Sequence, residues 1–164
     1  CGLRKRLEYD EFIDLIKNND IICLQETKTD CLDELRIDGY KLHLKHRRGA
    51  QRRSGGIAVA VRDNLTDYVS VIDDESEYIV WLKFVKDLFC TDQDLYVGVV
   101  YLPPEGSKYV SSFSFDEIEQ SVLSYLSLSD YVLLCGDFNS RTGNLCVYFL
   151  WTVTLLKSLT WTNS

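Results

Sequence analysis

The sequence has no methionine, not even an initiator, and opens on Cys1-Gly2-Leu3. The expectation is therefore a fragment or partial gene model, with any signal or transit peptide lying upstream. Six cysteines stand at positions 1, 23, 31, 90, 135 and 146, with no Cys-x-x-Cys pair and no histidine at zinc-finger spacing. That argues against a structural zinc site. Cys23 and Cys135 lie inside apolar runs and read as small buried hydrophobes in a reducing compartment, which suggests an intracellular protein, nuclear or cytoplasmic. Positive charge is in deficit, with 18 Lys and Arg against 25 Asp and Glu and a net charge of -7, so bulk charge gives no general affinity for polyanions. A membrane-spanning run is missing too. The charge-free stretch from Thr142 to Leu156 is 15 residues long, short of the roughly 18 to 20 a spanning helix needs, with Arg141 its only basic flank on that side. No internal repeat is visible. What is present is 164 residues that are 46% hydrophobic, 12% aromatic and 26% charged, the composition of one monomeric globular domain and not of a disordered, collagenous or disulfide-stapled chain.

Apolar residues Tyr9, Phe12, Ile13 and Ile16 recur at helical spacing, and predict an amphipathic helix over 7–17 that stops at Asn18-Asn19-Asp20. Ile21 to Leu24 is apolar at both parities, as a strand covered on both faces requires. Tyr40 to His46 alternates like a half-exposed strand, and Ile57–Val61, Ile79–Phe84 and Leu95–Tyr101 read as further strands, the last again apolar on both faces. Ser114 with Glu117 has capping-box spacing before an apolar helical face of Phe115, Ile118, Val122 and Leu126. Tyr131 to Cys135 reads as another doubly buried strand, closed by Gly136. This order of elements predicts a mixed α/β layered domain with helices packed outside.

Three of these strands finish in polar residues: Gln25-Glu26, Tyr101, and Asp137 with Asn139. Ligand sites in α/β proteins gather at the carboxyl ends of strands. Convergence of these ends would put two carboxylates, a carboxamide and a phenol in one pocket, an oxygen-rich set suited to a hard cation. Lys45, Arg47, Arg48, Arg52 and Arg53 form a basic stretch without an acid between them, which fits either a nucleic-acid backbone or a solvated loop. Ser54-Gly55-Gly56 allows close backbone approach, by another strand or by a phosphate. His43 and His46 are assigned no catalytic role, and Asp73-Asp74-Glu75 reads as a solvated turn.

Leu24-Gln25-Glu26-Thr27, Ser54-Gly55-Gly56-Ile57-Ala58, Tyr101-Leu102-Pro103-Pro104 and Gly136-Asp137-Phe138-Asn139 occur in the order and rough spacing of the endonuclease/exonuclease/phosphatase superfamily. Over residues 1–143 the chain resembles most the apurinic/apyrimidinic-like endonuclease domains of non-long-terminal-repeat retrotransposons. The resemblance implies a four-layer α/β sandwich of two mixed sheets flanked by helices, and metal-dependent hydrolysis of a phosphodiester in DNA. On it, Glu26 would hold Mg²⁺, with Mn²⁺ as a substitute. Asp137 would orient or deprotonate the attacking water, and Asn139 and Tyr101 would donate to the phosphate. Arg47, Arg48, Arg52 and Arg53 would follow the DNA backbone. A phosphatase acting on phosphoinositides or other small esters, and a non-catalytic relic, are the alternatives.

The tail departs from this pattern. Only Lys157 is charged among the 23 residues after Arg141, where the overall composition predicts about six. Residues 144–164 are therefore expected to be a non-matching tail, out of frame or intron-derived, with the C-terminal part of the domain missing. The family's later aspartate and its Ser-Asp-His have no counterpart, because both histidines precede residue 47. Loss of such an acid–base group lowers rate by about 10²- to 10⁴-fold.

Overall fold

The computed structural model describes residues 2–47, 54–73, 75–104, 106–107, 111–139 and the backbone of 154–156. Two short helices, α1 (Leu3–Arg6) and α2 (Asp10–Lys17), precede β1 (Ile21–Gln25), β2 (Tyr40–Lys45) and β3 (Ile57–Arg62). There follow β4 (Val69–Ile72), β5 (Ile79–Phe84), β6 (Leu95–Tyr101), α3 (Ser114–Leu126), β7 (Val132–Asp137) and β8 (Thr154–Leu156). They form two four-stranded sheets, β2-β3-β1-β8 and β4-β5-β6-β7. The described pairings of the first sheet are antiparallel throughout, and the second is mixed, with β6 and β7 parallel.

Alternation along each strand builds the layers. Ile21, Cys23, Ile57, Val59 and Val61 of the first sheet share one cluster with Val69, Val80, Leu82, Phe84, Val97, Val99 and Tyr101 of the second. These residues face each other between the sheets. The intervening positions face outward and meet helices. Ile22, Leu24, Ala58 and Ala60 pack with Leu3 of α1, Ile16 of α2 and the half-buried Phe12. Ile79, Trp81, Tyr96 and Val100 pack with Ile118 of α3 and the half-buried Val122 and Tyr125. The Trp81 and Tyr125 rings lie 4.1 Å apart, and the indole N–H donates to Ser121 Oγ at 2.8 Å. Helix, sheet, sheet and helix thus make the four-layer α/β sandwich, and the runs apolar at both parities in β1 and β6 are covered on both faces. Trp81, Phe84, Ile79 and Leu82 are all but fully buried, each stabilising the core by about 1.5 to 3 kcal/mol.

Several expectations are corrected. The helix expected over 7–17 is α2, which begins only at Asp10, and an unexpected short helix, α1, precedes it, closed by the bonds from Leu7 N–H to Leu3 O and from Tyr9 N–H to Arg6 O. The capping box does not form: the residue before α3 is Phe113, which makes no side-chain cap, so Ser114 is already helical. Its hydroxyl is buried without a hydrogen-bond partner. β4 escaped the sequence reading because Val-Ser-Val-Ile is only four residues long. β7 is not doubly buried. It lies at the end of its sheet, and Leu133 is 55% exposed. Asp73 is no simple solvated turn residue, since it pairs with Lys45 and, at 3.2 Å, with His43 Nε2. Among the described residues, no helix is long and apolar enough to cross a membrane.

Candidate active site

Strand direction gathers the polar strand ends at one rim of the sandwich. β1 ends at Gln25, which pairs with Ile57 at the start of β3, and Ile57 in turn pairs with Lys45 at the end of β2. In the other sheet Tyr101 pairs with Asp137, because β6 and β7 run parallel and end together. Tyr101 points between the sheets, where it is 2% exposed. Its hydroxyl donates a hydrogen bond to Glu26 Oε1, joining the two sheets. Burial, followed by the hydrogen bond to the Glu26 carboxylate and its negative charge, pushes the Tyr101 pKa up, with Arg47 opposing. The phenol therefore stays protonated and remains a donor.

Asp137 and Asn139 are tied to the same spot. Asn139 N–H donates to Asp137 Oδ1 at 2.9 Å, an Asx-type turn, and Asn139 Nδ2 donates to Leu102 O at 2.6 Å. Leu102 N–H donates to Asp137 O at 2.9 Å, so the ends of β6 and β7 are clamped together. One amide hydrogen of Asn139 is spent in this clamp, and the group has a second.

The backbone here is held in a costly form. Among the described residues four that are not glycine have positive φ, and three stand at this rim: Glu26 (54°), Lys28 (54°) and Asn139 (45°). Each costs about 1 to 2 kcal/mol, and such strain collects where surrounding structure over-determines it. Here the surroundings are the buried Thr27 and Thr29, whose hydroxyls bond at 3.1 Å, and the bond from Lys28 N–H to Gly55 O at 2.8 Å. Gly56 has φ 91°, and a Cβ there would lie 2.6 Å from Thr27 Oγ1. Of the two uses open to Ser54-Gly55-Gly56, close approach by the 27–29 segment is the one observed.

The basic residues divide. Arg47 lies over the Tyr101 ring, with its guanidinium carbon 5.5 Å from the centroid, and so belongs to the site. Arg48, Arg52 and Arg53 lie outside the described residues. Lys45 does not belong to a solvated basic stretch: it is 7% exposed and its ammonium bonds Asp73 and the Ile79 carbonyl. His46 Nδ1 stands 3.2 Å from Thr29 Oγ1 at the rim, and His43 Nε2 lies 3.2 Å from Asp73 Oδ2. Lys28, absent from the sequence reading, lies 3.5 Å from Glu26 Oε2. Its spacing two residues after Glu26 was the only available signal.

The geometry brings Glu26, Tyr101, Asp137, Asn139 and Arg47 to one rim. The Tyr101 hydroxyl is donated to Glu26 and so holds that carboxylate. Among the described residues no group of three or more His, Cys, Asp or Glu stands ready to cage a metal. An oxygen donor set of one or two carboxylates instead fits a hard cation that keeps several waters and is completed by substrate phosphate. A groove of about 730 Å³ elsewhere, between the β4–β5 turn and α3, is lined by Glu75, Glu77, Asp116 and Glu117 along with Tyr78 and Phe113. Its charge would repel a phosphate, and none of the rim residues lines it.

Comparison with solved structures finds the same fold in the human Nocturnin catalytic domain with bound sulfate anion. The TM-score is 0.56 at 17% identity, over 84% of this chain and 57% of that one. The chain thus spans little more than half of that domain. No curated protein matches. The model of the Endonuclease/Exonuclease/phosphatase family matches residues 2–156, a span that contains every strand described above. Enzymes of that family are phosphoester hydrolases that generally use divalent metals. With four layers, polar strand ends at a single rim and a match over nearly the whole sequence, the chain belongs to the Endonuclease/Exonuclease/phosphatase family.

Proposed function

We propose that this domain is a phosphodiesterase of the retrotransposon endonuclease type, a monomer that nicks DNA with Mg²⁺, or Mn²⁺ in its place. The reading is supported above all by the hydrogen bond that joins Glu26 to Tyr101, whose register neighbour is Asp137. Residues far apart in sequence thereby share the rim that the strand-end motifs mark. Glu26 is the ligand for the cation, with Tyr101 holding its carboxylate in place. When bound, the cation polarises a phosphate oxygen and offsets charge gathering on it. Asp137, an acceptor on a rigid strand end, orients the attacking water and takes its proton. The second amide hydrogen of Asn139 and the Arg47 guanidinium meet the phosphate. Arg48, Arg52 and Arg53, between β2 and β3 in the sequence, extend the positive charge along the DNA.

Incubation of the purified chain with supercoiled plasmid and Mg²⁺ tests this. Slow nicking is expected, and Glu26→Gln is expected to abolish it; nicking that survives the substitution overturns the assignment. Hydrolysis of soluble phosphate esters without nicking would replace the reading with a phosphatase. Mg²⁺ binding with no hydrolysis of either would replace it with a relic.

A further inference from the structure

Lys28 has no part in the chemistry above, yet the chain goes to some length to place it. Thr27 and Thr29 are buried, and the alternation turns Glu26 and Lys28 together away from the core. Both have the same left-handed backbone, φ 54°, and the bond from Lys28 N–H to Gly55 O anchors the second of them. The ammonium therefore stands at Glu26 Oε2, the oxygen that Tyr101 leaves open, at 3.5 Å. That is also the oxygen through which Glu26 would bind a cation. An ammonium and a divalent ion repel each other and cannot share it. The Lys28 side chain is 39% exposed on a flexible four-carbon stem, so its head can leave.

We propose that Lys28 is a positioning residue with two stations. In the cation-free protein it neutralises Glu26 and holds that carboxylate against Tyr101. With a divalent cation on Glu26, the displaced ammonium turns to the substrate phosphate as a point charge. The proposal rests on the reading of Glu26 as the cation's ligand.

The test is titration of the free protein with Mn²⁺, followed by calorimetry without DNA. Lys28→Gln, and Lys28→Asn as a residue that better tolerates positive φ, are expected to bind Mn²⁺ about two- to fivefold more tightly, the gain from removing a partly solvated competing charge. Lys28→Arg should keep the original affinity. Binding of a short DNA duplex in Ca²⁺ should lose about one unit of salt slope in both neutral variants. A purely structural lysine would not give tighter ion binding on removal. Unchanged or weaker Mn²⁺ affinity in both neutral variants, with Glu26→Gln losing Mn²⁺, overturns the proposal and leaves the Glu26 reading standing. Retained Mn²⁺ affinity in Glu26→Gln overturns that reading itself. An unchanged salt slope removes the second station.

Discussion

β1 and β7 are alike as sequences: four apolar residues, Ile21–Leu24 and Val132–Cys135, are followed one residue later by a carboxylate at the rim, Glu26 or Asp137. Their surroundings differ. β1 lies between β3 and β8 and is buried at every residue, whereas among the described residues β7 pairs with β6 alone and leaves Leu133 exposed on one face. The carboxylates inherit the difference. Glu26 is gripped by a buried phenol from the other sheet and by a strained, threonine-anchored backbone, while Asp137 is held mainly by the turn that follows it and by its strand pairing with Tyr101. An apolar strand thus positions the carboxylate at its end as firmly as its neighbours allow, and its own residues say little about that.

The contrast can be broken most severely at Gly136, the one point where β7 is as constrained as β1. A Cβ there would lie 2.0 Å from Val100 O, and φ is 127°. Gly136→Ala should cost about 4 kcal/mol or more, read as a loss of urea-unfolding midpoint, with nicking lost alongside. In β1, Ile22 is 1% exposed and packs against α1 and α2, so Ile22→Ala should cost about 3 kcal/mol in the same assay.

Tyr101→Phe removes the bond that joins the two sheets at the rim and should cost about 1 kcal/mol at neutral pH, because Glu26 is partly solvated. Its clearer signature is in alkali. Burial and the Glu26 carboxylate raise the Tyr101 pKa above the ordinary value of 10.0. The stability this group contributes is complete below about pH 10, where the unfolded tyrosine is still protonated, and is lost as pH rises towards the folded value. The unfolding midpoint should therefore fall above pH 10, and fall less steeply in Tyr101→Phe. Some slope should remain, because Tyr40 and Tyr131 are raised as well. Smallest of all, Leu133→Ser on the open face of β7 should change stability by less than about 0.5 kcal/mol. A loss as large as that of Ile22→Ala would mean that β7 is covered after all.

Much of this was legible in advance. Strands at 21–25, 57–62, 79–84 and 95–101 follow from short apolar runs, the one at 40–45 from alternation, and Ser114–Leu126 from period near 3.6. The strand-end residues were legible as a set because their motifs stand in order. The capping box was misread, since Ser-x-x-Glu spacing cannot say whether the chain turns before the serine or after it. Lys45 was misread as part of a basic stretch because its partner, Asp73, lies 28 residues away on the other sheet. No periodic pattern reports such a pairing. Lys28 was passed over for a similar reason: a lysine after a strand is ordinary until its backbone conformation puts the ammonium at the carboxylate.

By itself the sequence determined most of the segments that are helix or strand and the polar groups that close the strands, because those properties depend on local sterics and on alternation along one element. Only the tertiary structure decided that Glu26 meets Tyr101, that Asp137 stands beside them and that β7 lies open where β1 is sealed. These depend on sheet order and on contacts between residues far apart in the chain, 75 positions for Glu26 and Tyr101, which chain-local periodicity does not encode.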